Sequence, residues 1–97
     1  MPTFETMPGF EATWRNLTQE QRAAFREVVL EAFIPDLTGP ERSFRTELSV
    51  RPVGHPGLFQ MAWSEEGRAA FSYGAERTPG EPHVIWWQIT ASACSFQ

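Results

Sequence analysis

Hydrophobic positions recur at a helical spacing in the first third of the chain and mostly at a strand spacing after it. Phe10, Trp14 and Leu17 stand at i, i+4 and i+7, so a short amphipathic helix is predicted over residues 10–17. Residues 3–6, just before it, are predicted to form a short edge strand, because the prolines on either side confine it.

A second helix is predicted to begin after Thr18, because Thr18 and Gln21 have the spacing of a capping box. Its core-facing positions share the helical repeat; they are Phe25, Val28, Val29, Ala32 and Phe33. Pro35 is predicted to end this helix. Two helices with so short a connection are expected to form an antiparallel hairpin.

The period changes to two at Phe44, where apolar and charged residues alternate up to Val50, and a half-buried strand is predicted over 44–50. Further strands are predicted at 58–63 and 68–73, because turn-forming residues separate these apolar runs. Residues 36–42 and 74–82 are predicted to be loops.

Residues 83–90 form the most apolar run of the chain, with five large apolar residues among eight. This composition predicts a central strand that is covered on both faces. With the helices, these strands predict an α+β fold: an N-terminal helix hairpin packed on a small twisted antiparallel sheet of about four strands. The 97 residues are expected to form one domain over 1–97.

The charge is −4 and is not concentrated in one half. Residues 1–47 carry five arginines and eight acidic residues (5 − 8 = −3), and residues 48–97 carry three and four (3 − 4 = −1). Neither half is a basic footprint, which argues against general nucleic-acid binding through phosphates.

Cysteine and targeting signals indicate a reducing, cytoplasmic location. Cys94 has no partner for an internal disulfide. No apolar run approaches the about 20 residues that span a bilayer, and the N-terminal segment lacks a signal-peptide pattern. We therefore expect a cytoplasmic protein without membrane contact.

His55 and His83 lie in proline- and glycine-containing turns, and with Cys94 they lack zinc-ligand spacing. Asp36 is the only aspartate and lies in a predicted loop, so a Ser/His/Asp arrangement cannot be assembled. Glycine-rich phosphate loops followed by a helix are also lacking. No metal or other cofactor is expected.

Arg68 is the residue that most invites a chemical role, because it opens an otherwise apolar strand directly after Gly67. In that place a guanidinium could bind a phosphate or carboxylate bidentately. The alternative is a surface ion pair with Glu65 or Glu66 across the turn.

Four short motifs, in their order and spacing, resemble the RelE/ParE toxin superfamily. They are FEATWRNL at 10–17 before a long helix, LSVRPV at 48–53, GLFQM at 57–61 and GRAAF at 67–71. The resemblance covers residues 10–89 and implies a RelE/ParE-like fold for the whole chain.

The resemblance implies the toxin of a type II toxin–antitoxin system, held inactive by a cognate antitoxin. RelE-like members cut mRNA on the ribosome, and ParE-like members poison DNA gyrase. In the ribonuclease branch, an arginine that matches Arg68 stabilises charge on the phosphate in the transition state. The general acid or base usually comes from the end of the last strand or from the tail.

The chain departs from that pattern at its C-terminal end. Trp86, Trp87 and Gln88 stand where basic residues are expected, and the tail lacks histidine, tyrosine and charge. The proton-transfer group would then come from elsewhere, with three candidates: His83, Glu47 and Tyr73. The predicted catalytic set is Arg68, His83 and Arg51, with Arg51 as an additional phosphate-binding group.

Two functions follow as hypotheses. The first is a metal-independent, ribosome-associated mRNA endoribonuclease, which predicts that Arg68, Arg51 and a proton-transfer group converge in one groove. The second is a non-catalytic protein-binding module on the same fold, either a gyrase-type inhibitor or an inactive toxin homologue. It predicts that Arg68 pairs with a glutamate and that the tryptophans are partly exposed.

Overall fold

The computed structural model describes residues 2–40 and 43–91, and it places helices on one face of a five-stranded sheet. The helices are α1 (Pro8–Arg15), α2 (Gln19–Val28) and α3 (Ile34–Thr38). The strands are β1 (Thr3–Thr6), β2 (Arg51–Pro52), β3 (Leu58–Ala62), β4 (Arg68–Gly74) and β5 (His83–Thr90). The predicted α+β class is confirmed.

The strand order is β1-β5-β4-β3-β2, with β1 parallel to β5 and the other pairs antiparallel. The prediction of about four antiparallel strands is therefore corrected to a mixed sheet of five within the described residues. The predicted edge strand at Thr3–Thr6 is confirmed, and it joins the sheet beside β5 through parallel pairing.

The start of α2 follows the sequence signal closely. The Thr18 hydroxyl accepts a hydrogen bond from the Gln21 amide at 3.1 Å, and the Gln21 side chain accepts one from the Thr18 amide at 2.8 Å. These reciprocal bonds satisfy amides that the first helical turn leaves unpaired. The predicted capping box is confirmed.

The predicted helix end at Pro35 is wrong, because a turn of π-helix at Val29–Phe33 precedes α3. In this wider turn the Ile34 amide donates to the Val29 carbonyl. Pro35 then lies in the first turn of α3, where a missing N–H costs no hydrogen bond within that turn. The helical path continues to Thr38.

The predicted strand at 44–50 is also wrong, since Thr46–Leu48 form a 3₁₀ turn and Ser49 has a φ of 47°. The inward residues Phe44 and Leu48 pack into the core without pairing in the sheet. The alternation of apolar and charged residues therefore indicates which side chains are buried here, but strand pairing begins only at Arg51.

The predicted interior position of β5 is confirmed, since it lies between β1 and β4, but its predicted cover on both faces is wrong. Trp86 is buried, whereas Trp87 and Gln88 are exposed. A bulge causes this: the register passes from Ala70 opposite Gln88 to Phe71 opposite Trp86 and leaves Trp87 as an extra residue.

The core lies between the helices and one face of the sheet, which we call the helix-packed face. Its centre is aromatic: Phe33 lies 5.1 Å from Phe71 and 5.3 Å from Trp86, measured between ring centroids. Full burial of one such ring stabilises the fold by about 2–3 kcal/mol. Within the described residues, no helix is long and apolar enough to cross a membrane.

Candidate functional site on the helix-free face

The opposite side of the sheet, which we call the helix-free face, presents a polar cross-strand row. Register aligns Arg51 with Gln60, Gln60 with Ala70 and Ala70 with Gln88. Side chains alternate between faces along a strand, so these positions share one face while Met61 and Phe71 point into the core. Arg51 and Gln88 are exposed, whereas Gln60 is buried.

Arg68 lies on the same face, at the first position of β4, and its guanidinium closes the preceding turn. Its NH1 donates to three backbone carbonyls: Ser64 at 3.2 Å, Glu65 at 3.4 Å and Gly67 at 2.8 Å. No carboxylate of the described residues pairs with Arg68, so the predicted ion pair with Glu65 or Glu66 is wrong: Arg68 contacts Glu65 only through its backbone carbonyl. Among the described residues, the Nε and NH2 nitrogens of Arg68 have no protein partner, so these two nitrogens are available to a ligand.

The turn that carries Arg68 is held by a buried tryptophan. The Trp63 indole N–H contacts the carbonyls of Arg68 at 3.2 Å and Thr90 at 3.1 Å. A Cβ on Gly67 would come within 2.5 Å of the Trp63 ring, so the close approach requires glycine there. Contacts of Trp63 at the end of the β3–β4 hairpin therefore hold the backbone of Arg68 in place.

Arg51 and Arg68 lie on the same face of the sheet, two strands apart. Arg68 lies two residues along β4 from Ala70, whose row contains Arg51 two strands away. At standard strand spacings their backbones are about 12 Å apart. Their joint action on one ligand stays a prediction, since the Arg68 guanidinium bonds to carbonyls of the preceding turn.

Trp87 adds an exposed aromatic surface to the same face. It is 41% exposed, and its indole N–H donates to the Ser72 hydroxyl at 2.7 Å. Ser72 alternates with Phe71, so the bond places the indole on the helix-free face. The central-strand prediction missed the exposure of Trp87, since nothing in a uniformly apolar run marks a bulge, whereas the binding-module hypothesis expected partly exposed tryptophans.

His83 lies elsewhere, buried at the start of β5. Its Nε2 is 3.0 Å from the Glu5 carboxylate, and its Nδ1 is 2.7 Å from the Thr3 hydroxyl. A carboxylate only accepts, so Nε2 donates to Glu5, and Nδ1 shares a hydrogen bond with the Thr3 hydroxyl. Arg77 also donates to Glu5 at 3.1 Å. Both ring nitrogens are thus occupied by contacts between β1 and β5.

The electrostatic effect of this cluster falls on Glu5. The hydrogen bond from His83 is the largest cause and lowers the pKa of Glu5; burial opposes it, and the charges of Arg77 and His83 add smaller lowering effects. An ionised Glu5 suits a structural clamp, since it holds one cation and one imidazole at the sheet edge.

The structure does not bring His83 together with Arg68. Arg68 pairs with Thr90 and His83 with Gly74, at opposite ends of the β4–β5 ladder. Seven residues of strand separate them, which corresponds to about 20 Å. Their catalytic roles stay predictions, and any joint action would need a different arrangement.

The other proton-transfer candidates also lie apart from one another. Glu47 is exposed and lines a cavity of about 320 Å³ beside Ala62 and Ser64, near the Arg68 end. Tyr73 contacts Phe59 and Phe71, so it belongs to the helix-packed face. Across residues 2–40 and 43–91, no three histidine, cysteine or acidic side chains cluster as metal ligands do.

Comparisons with known proteins give information about the fold only. No protein-family model and no curated protein sequence matches the chain. Among solved structures, it is similar to a copper-bound mutant toxin from Helicobacter pylori, with a TM-score of 0.58 and 10% sequence identity over 92% of each chain. The chain therefore has a toxin-like α+β fold.

Proposed function

We propose that the chain is a RelE/ParE-like toxin of a toxin–antitoxin pair that acts by binding a protein target through its helix-free face. The observation that carries this proposal is the grouping of Trp87, Arg68 and Arg51 on that face. Tryptophan and arginine dominate the binding energy of protein interfaces. The −4 charge favours a protein target over a phosphate backbone.

The likeness to a bacterial toxin supports the toxin role, and the motif order supports the superfamily. DNA gyrase is the target class that the superfamily resemblance offers for a toxin of this kind. A cognate antitoxin is its expected protein partner, and the cytoplasm its expected location.

A second candidate function is the metal-independent mRNA endoribonuclease, favoured by the two unengaged guanidinium nitrogens of Arg68. In that reaction a 2′-hydroxyl attacks the adjacent phosphate while its proton passes to a base, the bond to the 5′-oxygen breaks, and that oxygen takes up a proton from a general acid and leaves as a 5′-hydroxyl. Arg68 would stabilise charge on the phosphate oxygens. Glu47 is the proton acceptor nearest that end of the sheet among the candidates.

Induced expression in a bacterial host tests the proposal, with growth and total mRNA integrity followed together. The wild type is expected to arrest growth with mRNA intact, and Trp87→Ala and Arg68→Ala are expected to abolish the arrest. Arg77→Ala is the matched control, because it removes an exposed arginine at the other end of the sheet. It should remain toxic.

Two results would count against the protein-target proposal. Cleaved mRNA that becomes intact in Arg68→Ala would establish the endoribonuclease in its place. Equal toxicity of all variants, with folding checked by circular dichroism, would remove the helix-free face from the mechanism.

A further inference from the structure

A threonine, a histidine and a glutamate form a chain of hydrogen bonds where β1 and β5 begin. The Thr3 hydroxyl lies 2.7 Å from Nδ1 of His83, and Nε2 of the same ring lies 3.0 Å from the Glu5 carboxylate. A hydroxyl in contact with a histidine that a carboxylate orients is the arrangement that activates the nucleophile of many acyl-transfer enzymes. The third member is a glutamate, so the arrangement does not depend on Asp36, the only aspartate of the chain.

The parallel pairing of β1 with β5 brings these three side chains together. Thr3 is paired with His83, and Glu5 lies two residues further along β1, so Thr3 and Glu5 point to the same side of the sheet. Gly74 is opposite His83 on β4, and a Cβ at Gly74 would lie 2.7 Å from Cδ2 of the imidazole. Glycine at this position therefore leaves the space that the ring occupies.

The charges around the imidazole suit a general base. The Glu5 carboxylate also accepts a hydrogen bond from Arg77 at 3.1 Å, and its lowered pKa keeps it ionised. An ionised carboxylate only accepts, so it holds a proton on Nε2 of His83. In the neutral ring Nδ1 then carries a lone pair that faces the Thr3 hydroxyl. This is the geometry that removal of the hydroxyl proton requires.

The position of β1 at the end of the strand order places a backbone donor beside Thr3. The Thr3 amide donates to the Pro82 carbonyl at 3.0 Å, on the side of β5. Alternate residues of a parallel strand bond to the same neighbour, so the Phe4 amide points away from β5. In α/β-hydrolases the amide of the residue after the nucleophile donates to the oxyanion that forms during acyl transfer. The Phe4 amide is therefore available for that task, next to a half-buried Thr3.

We propose that Thr3, His83 and Glu5 form a site for the hydrolysis of small esters. Thr3 is the nucleophile, His83 is the general base and Glu5 is a positioning residue. Acyl groups are small because the hydroxyl is half-buried and stands on a branched carbon. The site lies about 20 Å from Arg68, at the other end of the β4–β5 ladder, so it does not rest on the proposed function.

The reaction has two steps, with water as the second reactant. The Thr3 oxygen bonds to the carbonyl carbon of the ester while its proton passes to Nδ1 of His83. The bond between that carbon and the alcohol oxygen then breaks, and the alcohol leaves with the proton from Nδ1. Water next attacks the acylated threonine and gives a proton to Nδ1, and the Thr3 oxygen takes that proton as its bond to the acyl carbon breaks. The products are a carboxylic acid and an alcohol.

The test uses p-nitrophenyl acetate as probe and the release of nitrophenolate by the purified full chain as readout. The chain contains no lysine, so acylation of lysine side chains adds nothing to the background. Saturable hydrolysis is expected, with an initial burst from the acylation step. Mass spectrometry after rapid acid quenching should find one acetyl group, located at Thr3.

Four variants separate catalysis from other effects. Thr3→Val keeps the shape of the side chain without its hydroxyl and should lower kcat/KM at least about a hundredfold, whereas Thr3→Ser keeps the hydroxyl and should remain active. Glu5→Gln still offers an acceptor to Nε2 but lacks the charge, so kcat should fall at least about tenfold while KM stays unchanged. His55→Ala removes an exposed histidine and should hydrolyse the ester like the wild type.

Several outcomes would overturn the proposal. They are a rate that rises without saturation, an acetyl group located at a residue other than Thr3, and equal hydrolysis by Thr3→Val. A Thr3→Ser variant that folds like the wild type, as checked by circular dichroism, and hydrolyses no ester would also overturn it, so the test does not depend on the folding of Thr3→Val. Toxicity in the growth experiment bears on none of these results, so the two proposals fail separately.

Discussion

Single polar pairs hold the irregular segments around the sheet, and Asp36 with Arg45 is the main example. The Arg45 guanidinium donates to both carboxylate oxygens at 2.8 and 2.9 Å, and its backbone N–H adds a third bond at 2.9 Å. These bonds, led by those from the guanidinium, lower the pKa of Asp36 from 3.8 to about 2. The pair thereby ties α3 to the segment that leads into the sheet.

This pair predicts a specific acid sensitivity. A carboxyl with a lowered pKa contributes stability that is present above its unfolded pKa of 3.8 and is lost as pH falls towards about 2. Between these pH values the unfolding temperature of the wild type should therefore fall more than that of Asp36→Asn, which cannot titrate at this position. Equal pH slopes in the two proteins would show that the pair contributes nothing measurable.

His83, which was predicted to be catalytic, has a structural role in the pairing of β1 with β5. His83 joins Thr3 and Glu5 across the two strands while it is only 3% exposed. A clamp of this kind holds an edge strand that has backbone bonds on one side only. Its removal should loosen β1 without disturbing the β3–β4 hairpin.

His83→Ala is accordingly expected to lower the free energy of unfolding by about 2 kcal/mol, from lost hydrogen bonds and a small cavity. Amide hydrogen exchange of Thr3 and Glu5 should accelerate more than that of Met61. The exposed His55→Ala serves as control and should change neither quantity. Loss of toxicity in His83→Ala with unchanged stability and exchange would instead assign His83 to the mechanism.

Local sequence signals predicted the elements that local physics determines. The capping box at Thr18 and the β3–β4 hairpin depend on residues close in sequence, and both formed as predicted. The helix through Pro35 and the 3₁₀ turn at Thr46–Leu48 depend on a π turn and on packing against distant residues. The bulge at Trp87 depends on register between strands. Neither the two turns nor the bulge produces a periodic pattern of hydrophobic residues from which it could be predicted.

The whole molecule separates its polar surfaces by sheet geometry. Arg51, Arg68 and Trp87 occupy the helix-free face, and the His83 clamp lies at the other end of the β4–β5 ladder. Arg68 could be singled out from its position after Gly67. Its distance from His83 could not, because that distance follows from strand order.

The measurement that tests the central claim most directly is a selection for folded variants that no longer arrest growth. A randomly mutated gene, fused to a fluorescent reporter of folding, is induced in a bacterial host, and fluorescent survivors are sequenced. The account predicts that substitutions cluster at Arg51, Arg68, Trp87 and Gln88 on the helix-free face. Clustering at Thr3, Glu5 and His83, or growth unaffected by the unmutated chain, would contradict it.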